Sequence, residues 1–95
     1  MTDDGGRMTA DESPLEFPCD FPIKAFGHDT GDFDALVIRL VQAHAPEVGP
    51  DAVRTRSSRG GRYLAVTVTV RARSRAQLDD IYRALTAHER VLFAL

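Results

Sequence analysis

The sequence predicts one α+β domain, and three patterns support this prediction. Between Tyr63 and Ala72, apolar and mixed side chains alternate strictly in a stretch rich in β-branched types, which is typical of a strand with one buried face. Two other segments carry apolar residues at helical spacing. Shorter strand-like segments lie before, between and after these helices, and 95 residues suffice for one domain with one modest core.

The alternating segment is expected to be the central strand, with one row of side chains in the core and the other row facing away from the helices. The core row consists of Leu64, Val66, Val68, Val70 and Ala72. The opposite row consists of Tyr63, Ala65, Thr67, Thr69 and Arg71. A hairpin is expected to lead into this strand, because Gly60 and Gly61 permit the positive φ angles of a tight turn.

Three further strands are predicted, at residues 21–27, 52–58 and 90–95. The core row of the first consists of Phe21, Ile23 and Ala25. Lys24 and Phe26 then lie on the opposite face of the sheet. In the segment that precedes this strand, prolines favour extended backbone, and Leu15 and Phe17 are expected to pack on the edge of the domain.

Two helices are predicted, from about residue 32 to 44 and from Ser74 to about residue 88. The apolar face of the first consists of Phe33, Val37, Leu40 and Val41, widened by Leu36 and Ala43. Thr30 or Asp32 is expected to cap it. The apolar face of the second consists of Leu78, Ile81, Tyr82 and Leu85. Ser74 and Gln77 have the spacing of a capping box.

The resulting order is β-α-β-β-α-β, which predicts a ferredoxin-like sandwich: a four-stranded antiparallel sheet with both helices on one face. The other sheet face is then open. We assign this domain to residues 14–95 and interpret residues 1–13 as a disordered acidic N-terminal extension, because five of the 14 acidic side chains lie within the first 16 residues.

The composition excludes several classes of protein. The body of the chain is close to neutral, unlike the strongly basic surface of a typical nucleic-acid binder. One cysteine, Cys19, cannot form an internal disulfide, which suits a reducing cytoplasm. No apolar run approaches the roughly 20 residues that a membrane span needs.

Several short motifs, in order, resemble those of the YbeD-like family of small bacterial proteins of unknown function. They are Leu15-Glu-Phe-Pro18, the Phe21/Lys24/Gly27 spacing, Val41-Gln-Ala-His-Ala-Pro46 and Ser57-Ser-Arg-Gly-Gly-Arg-Tyr63. Arg59 stands where a lysine is typical of the family. The resemblance covers about residues 14–95 and implies a cytoplasmic, ferredoxin-like domain similar to the small regulatory domains that bind amino acids. The family has no established activity and no site residues to carry over to this chain.

The hairpin is the first candidate contact site. It contains Ser57, Ser58, Arg59, Gly60, Gly61 and Arg62. Glycine amides, hydroxyls and arginines together can hold a carboxylate or phosphate, or contact a partner. The alternative is a tight hairpin with solvated arginines. The segment is not a nucleotide-binding P-loop, because it joins two strands and leads into no helix.

The open face is the second candidate contact site. Its basic residues are Lys24, Arg54, Arg56 and Arg71, which share the face with Tyr63 or Phe26. Three interpretations remain open: a homodimer or partner interface, a solvated face, and a single-stranded RNA platform. Thr67 and Thr69 at the centre of the strand do not match the aromatic pattern of the common RNA-binding sheet.

No group of residues indicates catalysis or a metal site. Cys19 and the three histidines, His28, His44 and His88, show no metal-ligand spacing. The acidic pairs Asp32/Asp34 and Asp79/Asp80 suit helix starts. We therefore expect a non-enzymatic regulatory module without metal or cofactor, which binds a small metabolite or a partner protein through the hairpin and open face. An adaptor domain without a small ligand is the alternative, and a weak single-stranded RNA binder is the third interpretation.

Overall fold

Four strands and two helices follow one another in the predicted order. The computed structural model describes residues 15–95, so the predicted acidic extension, residues 1–13, lies outside the described residues. The strands are β1 (Cys19–His28), β2 (Val53–Ser57), β3 (Tyr63–Ala72) and β4 (Phe93–Ala94). The helices are α1 (Phe33–Gln42) and α2 (Arg75–Ala87), and a short 3₁₀ turn, Pro50–Ala52, leads into β2.

The strands form one antiparallel sheet in the order β2-β3-β1-β4. In the register of the two central strands, Ile23 lies opposite Val68 and Ala25 lies opposite Val66. On the other side of β1, Ala25 also lies opposite Ala94. Both helices pack on the face that these residues share, so the predicted ferredoxin-like α+β architecture is confirmed.

The core lies between the helices and one row of sheet residues, and it follows the predicted alternation closely. Its sheet side consists of Ile23, Ala25, Val66, Val68, Val70 and Ala72, and its helix side of Phe33, Leu36, Val37, Val41, Leu78, Ile81 and Leu85. Leu15 and Phe17 pack against it, as predicted. Ala43 is exposed, contrary to the prediction, because α1 ends at Gln42 and the chain then turns to bury Ala45 and Val48 instead.

β1 begins at Cys19, two residues before the predicted start, and it contains Pro22. Proline normally interrupts an inner strand because it lacks the backbone donor. Lys24 exchanges backbone hydrogen bonds with Leu95, so even-numbered residues of β1 point their N–H groups towards β4. β4 does not extend as far as Pro22, and the missing donor therefore faces a side of β1 that has no neighbouring strand.

β4 is shorter than the predicted strand at residues 90–95. Backbone hydrogen bonds from Leu92 and Leu95 to β1 flank its two residues. Arg90 does not join the strand, because its backbone N–H donates to Nδ1 of His88 and its guanidinium binds Thr30 and Asp32 across the molecule. These bonds hold the segment before β4 in a turn.

Each helix start departs from its prediction in one detail. Asp32 is the N-cap residue of α1, but its carboxylate caps no helix N–H and instead accepts from Arg90 at 2.6 Å. Ser74 caps α2 as predicted, since its hydroxyl accepts from the backbone N–H of Gln77. The Gln77 side chain accepts from the backbone N–H of Arg73, not of Ser74, and donates to the carbonyl of His44. Gln77 thereby links the start of α2 to the segment that follows α1.

Candidate binding surface

The open face is the side of the sheet opposite the helices, and it is built from alternate residues of all four strands. We define it by Asp20, Pro22, Lys24, Phe26 and His28 of β1, Arg54 and Arg56 of β2, Tyr63, Ala65, Thr67, Thr69 and Arg71 of β3, and Phe93 and Leu95 at β4. Both helices lie on the other face, so these side chains have no covering layer among residues 15–95.

Apolar side chains concentrate on the β4 side of this face. The exposed large hydrophobic residues among residues 15–95 are Tyr63, Leu92, Phe93 and Leu95, with exposed fractions of 40%, 51%, 50% and 65%. Three of them belong to the open face, and Leu92 directly precedes β4. Phe93 stacks on Phe26, with ring centroids 4.4 Å apart. Phe26, Phe93 and Leu95 therefore form an apolar cluster at the β4 side of the face, and Tyr63 lies at the hairpin end of β3.

Basic side chains occupy the other part of the face. The register places Thr67 between Lys24 on one neighbouring strand and Arg54 on the other, with Arg56 one step along β2. Among residues 15–95, no carboxylate lies within ion-pair distance of Lys24, Arg54 or Arg56. Arg71, also predicted as part of this set, lies at the far end of β3 and pairs with Asp20 at 3.3 Å.

The hairpin between β2 and β3 turns through the two glycines, as predicted, with φ angles of +87° at Gly60 and +71° at Gly61. The backbone N–H of Gly61 donates to the carbonyl of Ser58, and the Ser58 hydroxyl accepts from the backbone N–H of Tyr63. The N–H of Gly61 is therefore engaged within the turn, whereas the O–H of Ser58 is still able to donate. The side chains of Arg59 and Arg62 are exposed, as are those of Ser57 and Ser58.

A shallow depression of about 190 Å³ lies where the hairpin meets the open face. Its lining consists of Phe26, Arg56, Ser57, Ser58, Tyr63, Leu64 and Ala65. It brings together residues of the two predicted contact sites. Its volume is below the roughly 300–1,000 Å³ of typical small-molecule sites. The depression is thus better suited to a protruding side chain than to a whole metabolite.

Sequence reasoning missed the contribution of the last strand to this surface. The apolar alternation at residues 90–95 indicated a strand, but it did not indicate which row faces the core. That assignment depends on the pairing of Phe93 with Phe26, which is a contact between distant parts of the chain. The only sequence signal was the presence of apolar residues in both rows of a short segment, at Leu92, Phe93 and Leu95.

The residues considered for catalysis or metal binding are not brought together. Cys19 and His28 are the first and last residues of β1, which separates them by about 30 Å at the usual rise of a strand. His28 instead lies beside Tyr63, with ring centroids 5.0 Å apart. Among residues 15–95 there is no group of three or more His, Cys, Asp or Glu side chains that could hold a metal ion. In the same range, neither helix is long and apolar enough to span a membrane.

Comparisons with known proteins agree with this architecture. Residues 12–95 match a family described as "Protein of unknown function (DUF493)". A UPF0250 protein of Paraburkholderia phytofirmans is 51% identical over 87 residues, which cover 92% of this chain and 98% of that protein. The UPF0250 protein RSc0326 of Ralstonia nicotianae is 50% identical over 84 residues, which cover 88% of this chain and 87% of that protein.

A solved structure shows the same fold. The solution structure of protein HP0495 from H. pylori matches with a TM-score of 0.67 at 11% sequence identity, over 100% of this chain and 94% of that one. The family match and the sequence identity to small bacterial proteins both confirm the family resemblance noted in the sequence motifs. The chain belongs to the DUF493 family of proteins of unknown function.

Proposed function

We propose that this protein is a non-enzymatic regulatory module of the cytoplasm that binds a partner protein through its open face and its β2–β3 hairpin. The observation that carries the proposal is the exposure of Tyr63, Phe93 and Leu95 on the same face as Lys24 and Arg56, which have no ion-pair partner among residues 15–95. Aromatic residues and arginine are enriched in protein interfaces relative to the rest of protein surfaces. A face that only meets water normally carries polar residues in these positions.

A partner protein fits the surface better than a small metabolite, which the sequence also allowed. Two depressions touch the open face: one of about 190 Å³ at the hairpin, and one of about 410 Å³ at the other end of β2, where Asp20, Arg54 and Thr69 lie beside Glu47 and Asp51. The second is large enough for a small molecule, but its lining is mostly polar and carries three carboxylates, whereas small-molecule sites are predominantly apolar. Small-molecule sites enclose most of the ligand surface in a deeper cleft. A protein partner instead covers a flat surface and gains most of its affinity from a few anchors, here Phe93 and Tyr63.

The proposal is tested by affinity capture with matched variants. Immobilised wild-type protein is exposed to nuclease-treated lysate of the source cells, and the recovered proteins are quantified by mass spectrometry. We expect Phe93→Ser combined with Leu95→Ser to reduce recovery of the specific partner at least tenfold, which corresponds to about 1.4 kcal/mol of binding free energy. Both side chains are at least half exposed, so the fold should survive the change.

The control variant combines Arg39→Ser with Arg75→Ser. Both arginines are exposed on the helices, away from the open face. Each of these substitutions removes a long side chain, as the substitutions at Phe93 and Leu95 do. Equal recovery with both double variants would show that the partner does not use the open face. A parallel capture from untreated lysate is the comparison for RNA: proteins recovered only without nuclease would favour the single-stranded RNA interpretation instead.

A further inference from the structure

The outer edge of β2 has backbone groups without a partner among residues 15–95. Within this range, β2 lies at the end of the sheet and pairs only with β3. The backbone N–H of Ser58 donates to the carbonyl of Tyr63, which continues the β2–β3 register by one residue. Since bonded residues alternate along an antiparallel pair, Arg54 and Arg56 point their backbone groups towards β3. The backbone N–H and C=O groups of Thr55 and Ser57 therefore point out of the sheet.

This edge is accessible on both flanks. Thr55 and Ser57 belong to the row that faces the helix layer, yet both are exposed, so the helices do not extend over this part of β2. Proteins commonly protect an exposed edge with a proline, a bulge or a covering loop. β2 contains no proline, and it pairs with β3 residue for residue from Val53 to Ser57 without a bulge. Among residues 15–95, the protection of this edge is limited to the shortness of β2 and the charges of Arg54 and Arg56, and an acidic strand would neutralise those charges.

The charge of the edge indicates what kind of strand fits it. β2 itself carries two arginines and no acidic residue, and the carboxylates of Asp20, Glu47 and Asp51 lie near its start, around the depression that Arg54 also lines. Arg54 and Arg56 both lie on the open face of the edge strand, without an ion-pair partner among residues 15–95. A second copy of this chain, pairing β2 with β2, would bring identical arginines close to one another across the new interface. Like charges in such positions destabilise a sheet, so a second copy is disfavoured.

We propose that the partner protein contributes an extended acidic segment, which adds to β2 as a further, antiparallel strand of the sheet. The backbone of this segment forms hydrogen bonds with the backbone of Thr55 and Ser57. Every second residue of the segment is acidic, and these carboxylates lie beside Arg54 and Arg56 on the open face. This inference rests on the proposed function and specifies the chemistry of the partner at that site. In this arrangement, the exposed arginines of β2 form ion pairs with the carboxylates of the added strand.

The test uses wild-type protein and a synthetic probe with the sequence Thr-Glu-Val-Glu-Thr-Glu-Val-Glu-Thr, capped at both ends. The control peptide carries N-methyl groups on its two valines, which removes N–H donors from the row that would bond β2 and leaves all charges in place. At 0.15 M salt, we expect the control peptide to bind at least tenfold more weakly. In NMR experiments, amide exchange at Thr55 and Ser57 should slow at least tenfold when the unmethylated probe saturates the protein.

Variants of the protein give an independent readout. Arg54→Glu with Arg56→Glu should weaken probe binding at least tenfold, whereas Arg39→Glu with Arg75→Glu, which changes the net charge equally on the helices, should have less than a threefold effect. Equal binding of the two peptides would overturn the inference, because it would mean attraction by charge alone. Protection of the Thr55 amide in the free protein together with a doubled mass would overturn it in favour of a second copy.

The failure of this inference can be distinguished from failure of the proposed function. If no acidic peptide binds, yet capture of the partner still depends on Phe93 and Leu95, the partner uses the open face without adding a strand. If the probe binds along β2 and capture is insensitive to Phe93 and Leu95, the edge and not the open face is the partner site.

Discussion

At the scale of single residues, Gly27 shows how closely the sheet and the first helix approach each other. A Cβ atom added at Gly27 would overlap the ring of Phe33 and would lie 2.7 Å from the carbonyl oxygen of Arg90. Phe33 is fully buried and the carbonyl belongs to the backbone, so neither can move aside easily. The glycine is required here by lack of space and not by an unusual backbone conformation.

We expect Gly27→Ala to lower the free energy of unfolding by about 1–3 kcal/mol, the usual cost of overpacking a core. The measurement is urea denaturation followed by circular dichroism. Gly49→Ala is the control, because the nearest atom to an added Cβ there lies 3.5 Å away, at ordinary contact distance. If the two variants were equally stable, the packing between β1 and Phe33 would have to be looser than described.

Val68 and Thr67 test the assignment of the two faces of β3. Val68 is fully buried, whereas Thr67 lies on the open face between Lys24 and Arg54. We expect Val68→Asp to unfold the domain, because the cost of burying an unpaired charge is comparable to its whole stability of about 5–15 kcal/mol. Thr67→Asp should change stability by less than about 1 kcal/mol. Near-identical circular dichroism melting curves for the two variants would contradict the assigned register.

At the scale of the elements, Arg90 fastens the turn before β4 to the start of α1. Its guanidinium binds the Thr30 hydroxyl and the Asp32 carboxylate, which lie 60 and 58 residues earlier in the sequence. The hydrogen bond from Arg90, and then the one from Thr30, hold the pKa of the Asp32 carboxyl below its ordinary value. The charged carboxylate is therefore favoured in the folded state.

A carboxyl whose pKa is lower in the folded state stabilises the fold above its unfolded pKa, near 3.9, and loses this contribution as the pH falls through the lower folded value. We expect wild-type protein to be more stable than Asp32→Asn at pH 7, by a margin that stays constant down to about pH 5 and shrinks in more acidic solution. Chemical denaturation over this pH range measures the margin. Asp79→Asn, at an exposed site on α2, is the control. A margin that is unchanged at pH 2.5 would exclude the Asp32 carboxylate as its source.

The elements themselves were largely predictable because most depend on local patterns. Alternation along β3 and the helical spacing of Phe33, Val37 and Val41 reflect burial on one side, which a sequence records directly. The ends of β1 and β4 were not predictable in this way. Pro22 is tolerated only because β4 stops short of it, and β4 starts late because Arg90 binds Asp32. Both facts depend on contacts between segments far apart in the sequence.

At the scale of the whole molecule, the candidate surface combines what the sequence predicted with what it could not. Lys24, Arg54 and Arg56 meet on the open face, as their alternation predicted. The apolar part of the surface depends on the pairing of β4 with β1. The exposed backbone groups at the edge of β2 depend on which residues of β2 hydrogen-bond to β3. If the alternate residues did so, the N–H and C=O of Thr55 would point towards β3 and not out of the sheet. Neither property has a signature in a single sequence.

The strand order also has a consequence for how the protein is made. Among residues 15–95, β1 is the first strand but occupies an inner position, and it pairs with Ala72 at one end and Ala94 on its other side. A ribosome adds roughly 5–20 residues per second, so β1 waits seconds for its partners to be synthesised. β2 and β3, joined by a short turn, can pair within about 1–10 μs of their emergence. During synthesis, the hairpin therefore completes before the strand that precedes it can enter the sheet, and the apolar row of β1 remains without its strand partners until then.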